Sequence, residues 1–197
     1  MMTTQQIEAI GHFLAYYKSD LHYINQFQNY KGGNLSSVDY VNRSKGSFYS
    51  FLIEYKIVRN LKGGQIHRLL EETTNFIKLC DNSDVDAFAL KLSQTDFTGN
   101  KIVASLASKI LFLNNPCLII PMDSRARRAL GQKANKYDIY NQNLTNFINR
   151  NENIVTEMLD YVQPMISVIE KDFPLLGNKE LIAKNRIIDK LLWTTGK

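Results

Sequence analysis

Asp123 is the residue of this chain best placed to do chemistry. It stands in the run Pro121-Met122-Asp123-Ser124-Arg125-Ala126-Arg127-Arg128-Ala129-Leu130-Gly131, an acid followed closely by three arginines. Asp before a helical stretch that Gly131 ends reads as an N-cap, with the glycine just past the C-terminus. N–H donors at such a position favour the ionised carboxylate. A fixed anion of that kind can stabilise positive charge developing on a substrate, and can orient or deprotonate an attacking water. Capping alone is worth about 1 kcal/mol and is compatible with such a role. Arg125, Arg127 and Arg128 follow at the start of that helix, where cations oppose the dipole. Helix stability therefore does not explain them, whereas phosphate contact would. Gly99, Asn100 and Lys101 make a second candidate anion site, in which backbone N–H groups add to the lysine as donors.

The charge distribution points the same way. The 197 residues carry a net charge of +5. Between Gly99 and Tyr137 the bases are Lys101, Lys109, Arg125, Arg127, Arg128, Lys133 and Lys136, against Asp123 alone, so seven minus one gives this stretch +6. A concentrated basic surface meets phosphate, in nucleic acid or at a membrane, or is simply a solvated face.

The elements that must position these groups are helical. Ile7, Ile10, Phe13, Leu14 and Tyr17 follow three-and-four spacing, which Leu21, Ile24 and Phe27 continue or restart. After a Gly-, Asn- and Ser-rich loop (Lys31 to Ser37), Phe48, Phe51, Leu52, Tyr55 and Val58 form another apolar face, ended by Gly63-Gly64. Ile66, Leu69, Leu70, Phe76 and Ile77 predict the next helix. Asp84 to Leu92 predicts a shorter one that buries Val85, Phe88, Ala89 and Leu92. The helix after Lys101 has a core stripe of Ile102, Val103, Leu106, Ile110 and Leu113, with Asn115-Pro116 as its stop and Cys117 to Pro121 as an extended connector. Two more helices are expected around Ile154 to Ile169, broken or kinked at Pro164, and over Leu181 to Trp193. The Asn-rich stretch Tyr140 to Asn153 is left unassigned. With no period-two alternation, repeat or linker, residues 1–197 read as a single all-α domain.

The order of glycine turn, basic helix with Gly99-Asn100-Lys101-Ile102-Val103-Ala104, connector, and Pro121-Met122-Asp123-Ser124-Arg125-Ala126-Arg127-Arg128 resembles the helix–hairpin–helix DNA glycosylase superfamily over residues 96–131. That family has a glycine-rich hairpin, a Lys-x-Ala helix, and then Pro-Val-Asp-x-His-Val-x-Arg. The resemblance implies a compact all-helical fold and hydrolysis of an N-glycosidic bond to leave an abasic site. Asp123 would be the catalytic carboxylate, and Gly99, Asn100, Lys101, Arg125, Arg127 and Arg128 would contact DNA. Met122 and Ser124, beside the acid, are candidate pocket residues. The implied partner is double-stranded DNA with a damaged or modified base, a hypermodified phage base in an antiviral role included. No cofactor is implied. The chain departs from the family in keeping only Gly99 of the Leu-Pro-Gly-Val-Gly hairpin and in placing Arg125 where the phosphate-binding His stands. Lys101 and Lys109 precede Asp123 by 22 and 14 residues (123 − 101 and 123 − 109). The lyase lysine of bifunctional members falls between those separations, so a monofunctional hydrolase is expected. A non-catalytic DNA-binding protein on the same fold is the alternative. Aromatic walls would hold a flipped base, for which Tyr16, Tyr17, Tyr23, Tyr30, Tyr49 and Tyr55 are candidates, though rings at helical spacing are mostly core.

Composition bounds the rest. At 44% hydrophobic and 22% charged residues, with 10 Gly and 4 Pro, disordered and collagenous classes are excluded. The longest apolar candidate, Ile110 to Met122, is interrupted by Asn114, Asn115 and Pro116, so no membrane span is expected. Cys80 and Cys117 fit no metal spacing and read as buried thiols of a reducing cytoplasm. His12, His22 and His67 are too scattered to bind a metal. The starting residues have no basic region followed by an apolar core, which argues against a secretory signal.

Overall fold

The computed structural model describes residues 2–58, 61, 65–80 and 84–197, with Leu79 and Cys80 described by their backbone alone. Among the described residues the chain is all-helical, and no helix is long and apolar enough to cross a membrane. The helices are α1 (Thr4–Lys31), α2 (Ser37–Val41), α3 (Ser47–Glu54), α4 (Gln65–Cys80), α5 (Val85–Ser93), α6 (Ala104–Asn114), α7 (Ser124–Ala129), α8 (Tyr137–Ile169) and α9 (Lys179–Thr195). The chain forms two compact units, residues 23–119 and residues 1–22 with 120–197, and α1 contributes to both.

In the unit 23–119, the end of α1 meets α2 to α6 around an aromatic core. Tyr30 stacks on Tyr40 with ring centroids 5.1 Å apart, Tyr40 meets Phe48 at 5.3 Å, and Phe51 meets Tyr55 at 4.4 Å. These contacts absorb Tyr30 and Tyr55, and Tyr23 is buried against Phe51. Burial, with the neighbouring Tyr30 a lesser cause, pushes the Tyr40 hydroxyl well above the ordinary phenol value. Between α2 and α3 the backbone passes so close at Gly46 that any Cβ would stand 2.5 Å from the Tyr40 carbonyl oxygen and the Asn42 nitrogen. Helix α5 runs as expected, with Asp84 capping it by accepting from Ala87 N–H at 2.9 Å and with Val85, Phe88, Ala89 and Leu92 buried. Ile66, Leu69, Leu70, Phe76 and Ile77 of α4 are buried as well. The expected stop at Gly63-Gly64 and the side chain of Cys80 lie outside the described residues.

In the other unit, α9 packs against α7 and α8. Its apolar residues Ile182, Ala183, Ile187, Ile188 and Leu192 are buried, as are Phe13, Tyr17 and Leu21 of α1. A charged group is buried with them: Arg186 Nε lies 2.7 Å from Asp20 Oδ2, and its NH1 3.3 Å from Asp189 Oδ2. Tyr17 donates to Glu170 Oε1 at 2.7 Å, and burial, with that carboxylate, strongly suppresses its ionisation.

Several elements differ from expectation. Tyr140 to Asn153 is helical and belongs to one 33-residue helix that passes through Pro164 without a break. Neighbouring turns carry the helix past the missing N–H of that proline. Helix α3 stops at Glu54, so Tyr55 and Val58 lie beyond it and Ile57 is the buried residue there. Helix α6 starts at Ala104, which leaves Lys101 before the helix and Ile102 half exposed rather than in the core stripe. Cys117 sits in a turn and is only half buried, with burial raising its thiol pKa.

Candidate active site

Asp123 has extended backbone (φ −131°, ψ −177°) and caps α7, its Oδ1 accepting from Ala126 N–H at 2.8 Å. Gly131, one residue past the C-cap Leu130, has φ +65° and ends the helix as expected. The side chain of Asp123 is half buried, and the cap uses Oδ1. The connector that delivers it is pinned from α8. Buried Tyr137 donates to the Ile120 carbonyl at 3.0 Å, and buried Tyr140 reaches the Pro121 carbonyl at 3.4 Å. Burial drives the Tyr140 hydroxyl far above its ordinary pKa. The Asp189, Tyr137 and Asp123 charges act the same way, and Arg186 opposes them. Tyr140 therefore remains a neutral donor at working pH. The spacing of three between the two tyrosines on one helix is visible in the sequence, but the Asn-rich surroundings hide that this helix exists.

The three arginines do different things. The Arg125 guanidinium stacks on Trp193 of α9, 3.9 Å from the ring centroid, with NH1 buried and without a hydrogen-bond partner. His12 meets the same indole edge-on at 4.7 Å. A Cβ on Gly196 would overlap the Arg125 carbonyl oxygen, so Gly196 lies directly on α7. Arg127 donates to the Lys133 carbonyl at 3.2 Å and helps close the turn after α7. Arg128 is exposed. Because α7 has only six residues, Arg127 and Arg128 occupy its last turn, where cations favour the dipole. The expectation that all three oppose it is corrected on that ground. Met122 is buried within the core and Ser124 is exposed.

Gly99, Asn100 and Lys101 belong to the unit 23–119. Gly99 (φ +57°) and Asn100 (φ +63°) are both left-handed, and Lys101 N–H closes the turn on the Thr98 carbonyl at 3.2 Å. This is the backbone sense of a tight hairpin turn, exposed at residues 99–101. Lys109 donates to the Tyr55 carbonyl at 3.0 Å and is a structural lysine of α6. Among the described residues, no group of three His, Cys, Asp or Glu side chains is placed to hold a metal ion. Comparison with protein families, curated proteins and solved structures returns no match for this chain.

Proposed function

We propose that this protein is a monofunctional DNA glycosylase that hydrolyses the N-glycosidic bond of a damaged or modified base, with Asp123 as its catalytic carboxylate. The observation that carries the reading is the way Asp123 is held. One carboxylate oxygen is held by the cap of α7, and the preceding backbone is held by two buried tyrosines. Cleaving this bond builds oxocarbenium-like charge on the sugar, as in glycoside hydrolysis. A preorganised carboxylate stabilises that charge without reorganising at the moment of reaction, and it can orient the attacking water. The exposed turn of Gly99, Asn100 and Lys101 and the exposed Arg128 are the groups suited to the DNA backbone. A modified phage base, and hence an antiviral role in the cytoplasm, fits a chain this far from the family pattern.

The test is release of abasic sites, scored as alkali-labile breaks, from duplexes carrying damaged, methylated, hydroxymethylated or glucosylated bases. Asp123→Asn keeps the cap, so stability should change by less than about 1 kcal/mol. Excision should slow by about 100- to 1,000-fold, the scale of one lost transition-state interaction. Near-normal excision by this variant would reduce the carboxylate to a cap. Neither Lys101 nor Lys109 stands at the spacing of a lyase lysine, and Lys109 is engaged with Tyr55, so no enzyme–DNA adduct should be trapped by borohydride.

A second reading, a non-catalytic DNA-binding protein, draws on the exposed turn of Gly99, Asn100 and Lys101 and on Arg128, which suit a DNA backbone without any reaction. Binding of the same duplexes with no abasic product would decide for it.

A further inference from the structure

Helix α8 serves the core at both ends and leaves it in the middle. Tyr137, Tyr140 and Leu144 are buried, as are Val155, Met158, Val162 and Ile166, but nothing between Leu144 and Val155 is. Those ten residues span about 15 Å of helix. The core stripe, continued at helical spacing, would pass through Phe147, Ile148 and Asn151, which are only half buried. All six asparagines of α8 lie between residues 141 and 153, and Arg150 is its only cation. Asparagine is a poor helix former, so this run is not explained by the stability of the helix that contains it.

The gap in the core stripe is a pocket. Asn143, Asn146, Phe147, Arg150 and Asn151, which share one face of α8, line an open pocket of about 260 Å³ with Ala129 and Leu130 at the end of α7. Asn151 Nδ2 donates to the Phe147 carbonyl at 2.8 Å, and Asn143 Nδ2 lies 3.5 Å from Gln132 Oε1. Asn146 and Arg150 are exposed. The volume falls below the range of about 300–1,000 Å³ usual for drug-sized ligands, and suits one flat ring. The lining includes no acid, which disfavours a cation, and three amides with a guanidinium disfavour a purely apolar guest. Each amide offers a donor and an acceptor, the pairing that reads a base edge. Phe147 offers an aromatic surface for stacking, and a guanidinium suits phosphate.

From this combination we infer that the pocket holds a single nucleotide of a nucleic-acid strand, its base against Phe147 and the asparagine amides and its phosphate on Arg150. The inference rests on the glycosylase reading and extends it. Leu130 follows Asp123 by seven residues, about 10 Å along a helix, so the nucleotide held here would be a near neighbour of the one undergoing cleavage.

The probe is deoxyadenosine monophosphate, titrated into the ¹⁵N-labelled full chain while the side-chain NH₂ signals of Asn143, Asn146 and Asn151 are followed. Saturable shifts at these amides are expected, at least tenfold weaker in Asn146→Ala and in Arg150→Ala, both exposed positions whose folding can be confirmed from the rest of the spectrum. Deoxyribose 5-phosphate, which lacks the base, should leave the amides unmoved. Silent amides, equal shifts with the sugar phosphate, or undiminished binding by both variants would overturn the inference. Base excision is assayed separately. Nucleotide binding at the amides without excision keeps the pocket and removes the glycosylase reading, whereas excision with silent amides removes the pocket alone.

Discussion

At the scale of single residues, the environment of Trp193 makes a pH prediction. His12 lies against the indole, and burial, followed by the positive charges of Lys190 and Arg125, holds its pKa below the ordinary imidazole value. Glu8 Oε1 at 3.5 Å does not reverse that direction. A histidine with a lowered folded pKa binds fewer protons in the fold than in the unfolded chain, so stability falls as pH drops below about 6.5 towards the folded value. Burial acts on His22 in the same sense. Urea midpoints at about pH 7.5 and 5.5 should therefore differ in the direction of lower stability in acid, and His12→Gln should narrow the difference. An undiminished difference would assign the acid sensitivity to other groups. At the same site Arg125 is both a cation and a packing element, so its removal perturbs α7 as well as any phosphate contact.

At the scale of elements, α7 is a short helix whose ends do most of the work. Six residues form too few internal hydrogen bonds to persist alone. It depends on Asp123 at one end, Gly131 at the other and α9 alongside. Gly131 is left-handed, a conformation that costs a residue with a Cβ about 1–2 kcal/mol. Gly131→Ala should destabilise the protein by that amount, read from denaturant unfolding, and Gly131→Asn should recover part of it because asparagine tolerates this region. Equal losses in the two variants would mean that something other than backbone conformation is responsible.

At the scale of the whole molecule, two charge effects separate cleanly. Arg186 and Asp20 are both buried, so Arg186→Met removes the cation that faces a carboxylate held away from water. That should cost about 3–5 kcal/mol, and Asp20→Leu added to it should restore much of the loss. Urea unfolding of both variants checks this, and a double variant as unstable as the single one would contradict it. The net charge of +5 acts at the surface instead. If DNA is bound through exposed bases, Arg128→Ala and Lys101→Ala should each reduce the log–log salt slope of binding by about 1, with similar losses across sequences. Arg128 is the cleaner probe of the α7 arginines, since it alone among them is exposed. Unchanged slopes in both variants would place the DNA elsewhere.

Where the physics is local, this sequence determined its own outcome. Capping by Asp123 reaches three residues along the chain, and the buried faces of α4 and α5 follow from a 3.6-residue period. Both were legible, as were the all-helical class and the helix stop at Gly131. The length of α7 was not, and with it went the argument that its arginines oppose a helix dipole. The Asn-rich part of α8 was also hidden, because asparagine disfavours helix by itself and only the packing of Tyr137, Tyr140 and Leu144 on one side and Val155 onward on the other carries the helix through. Trp193 follows Arg125 by 68 residues (193 − 125), and Arg186 follows Asp20 by 166, so neither partner could be chosen from spacing. Stacking and buried ion pairs form between whichever groups the packed helices bring within a few ångströms. Tertiary structure alone therefore decided that Arg125 lies on an indole, that two tyrosines hold the backbone before Asp123, and that an asparagine-lined pocket opens beside α7.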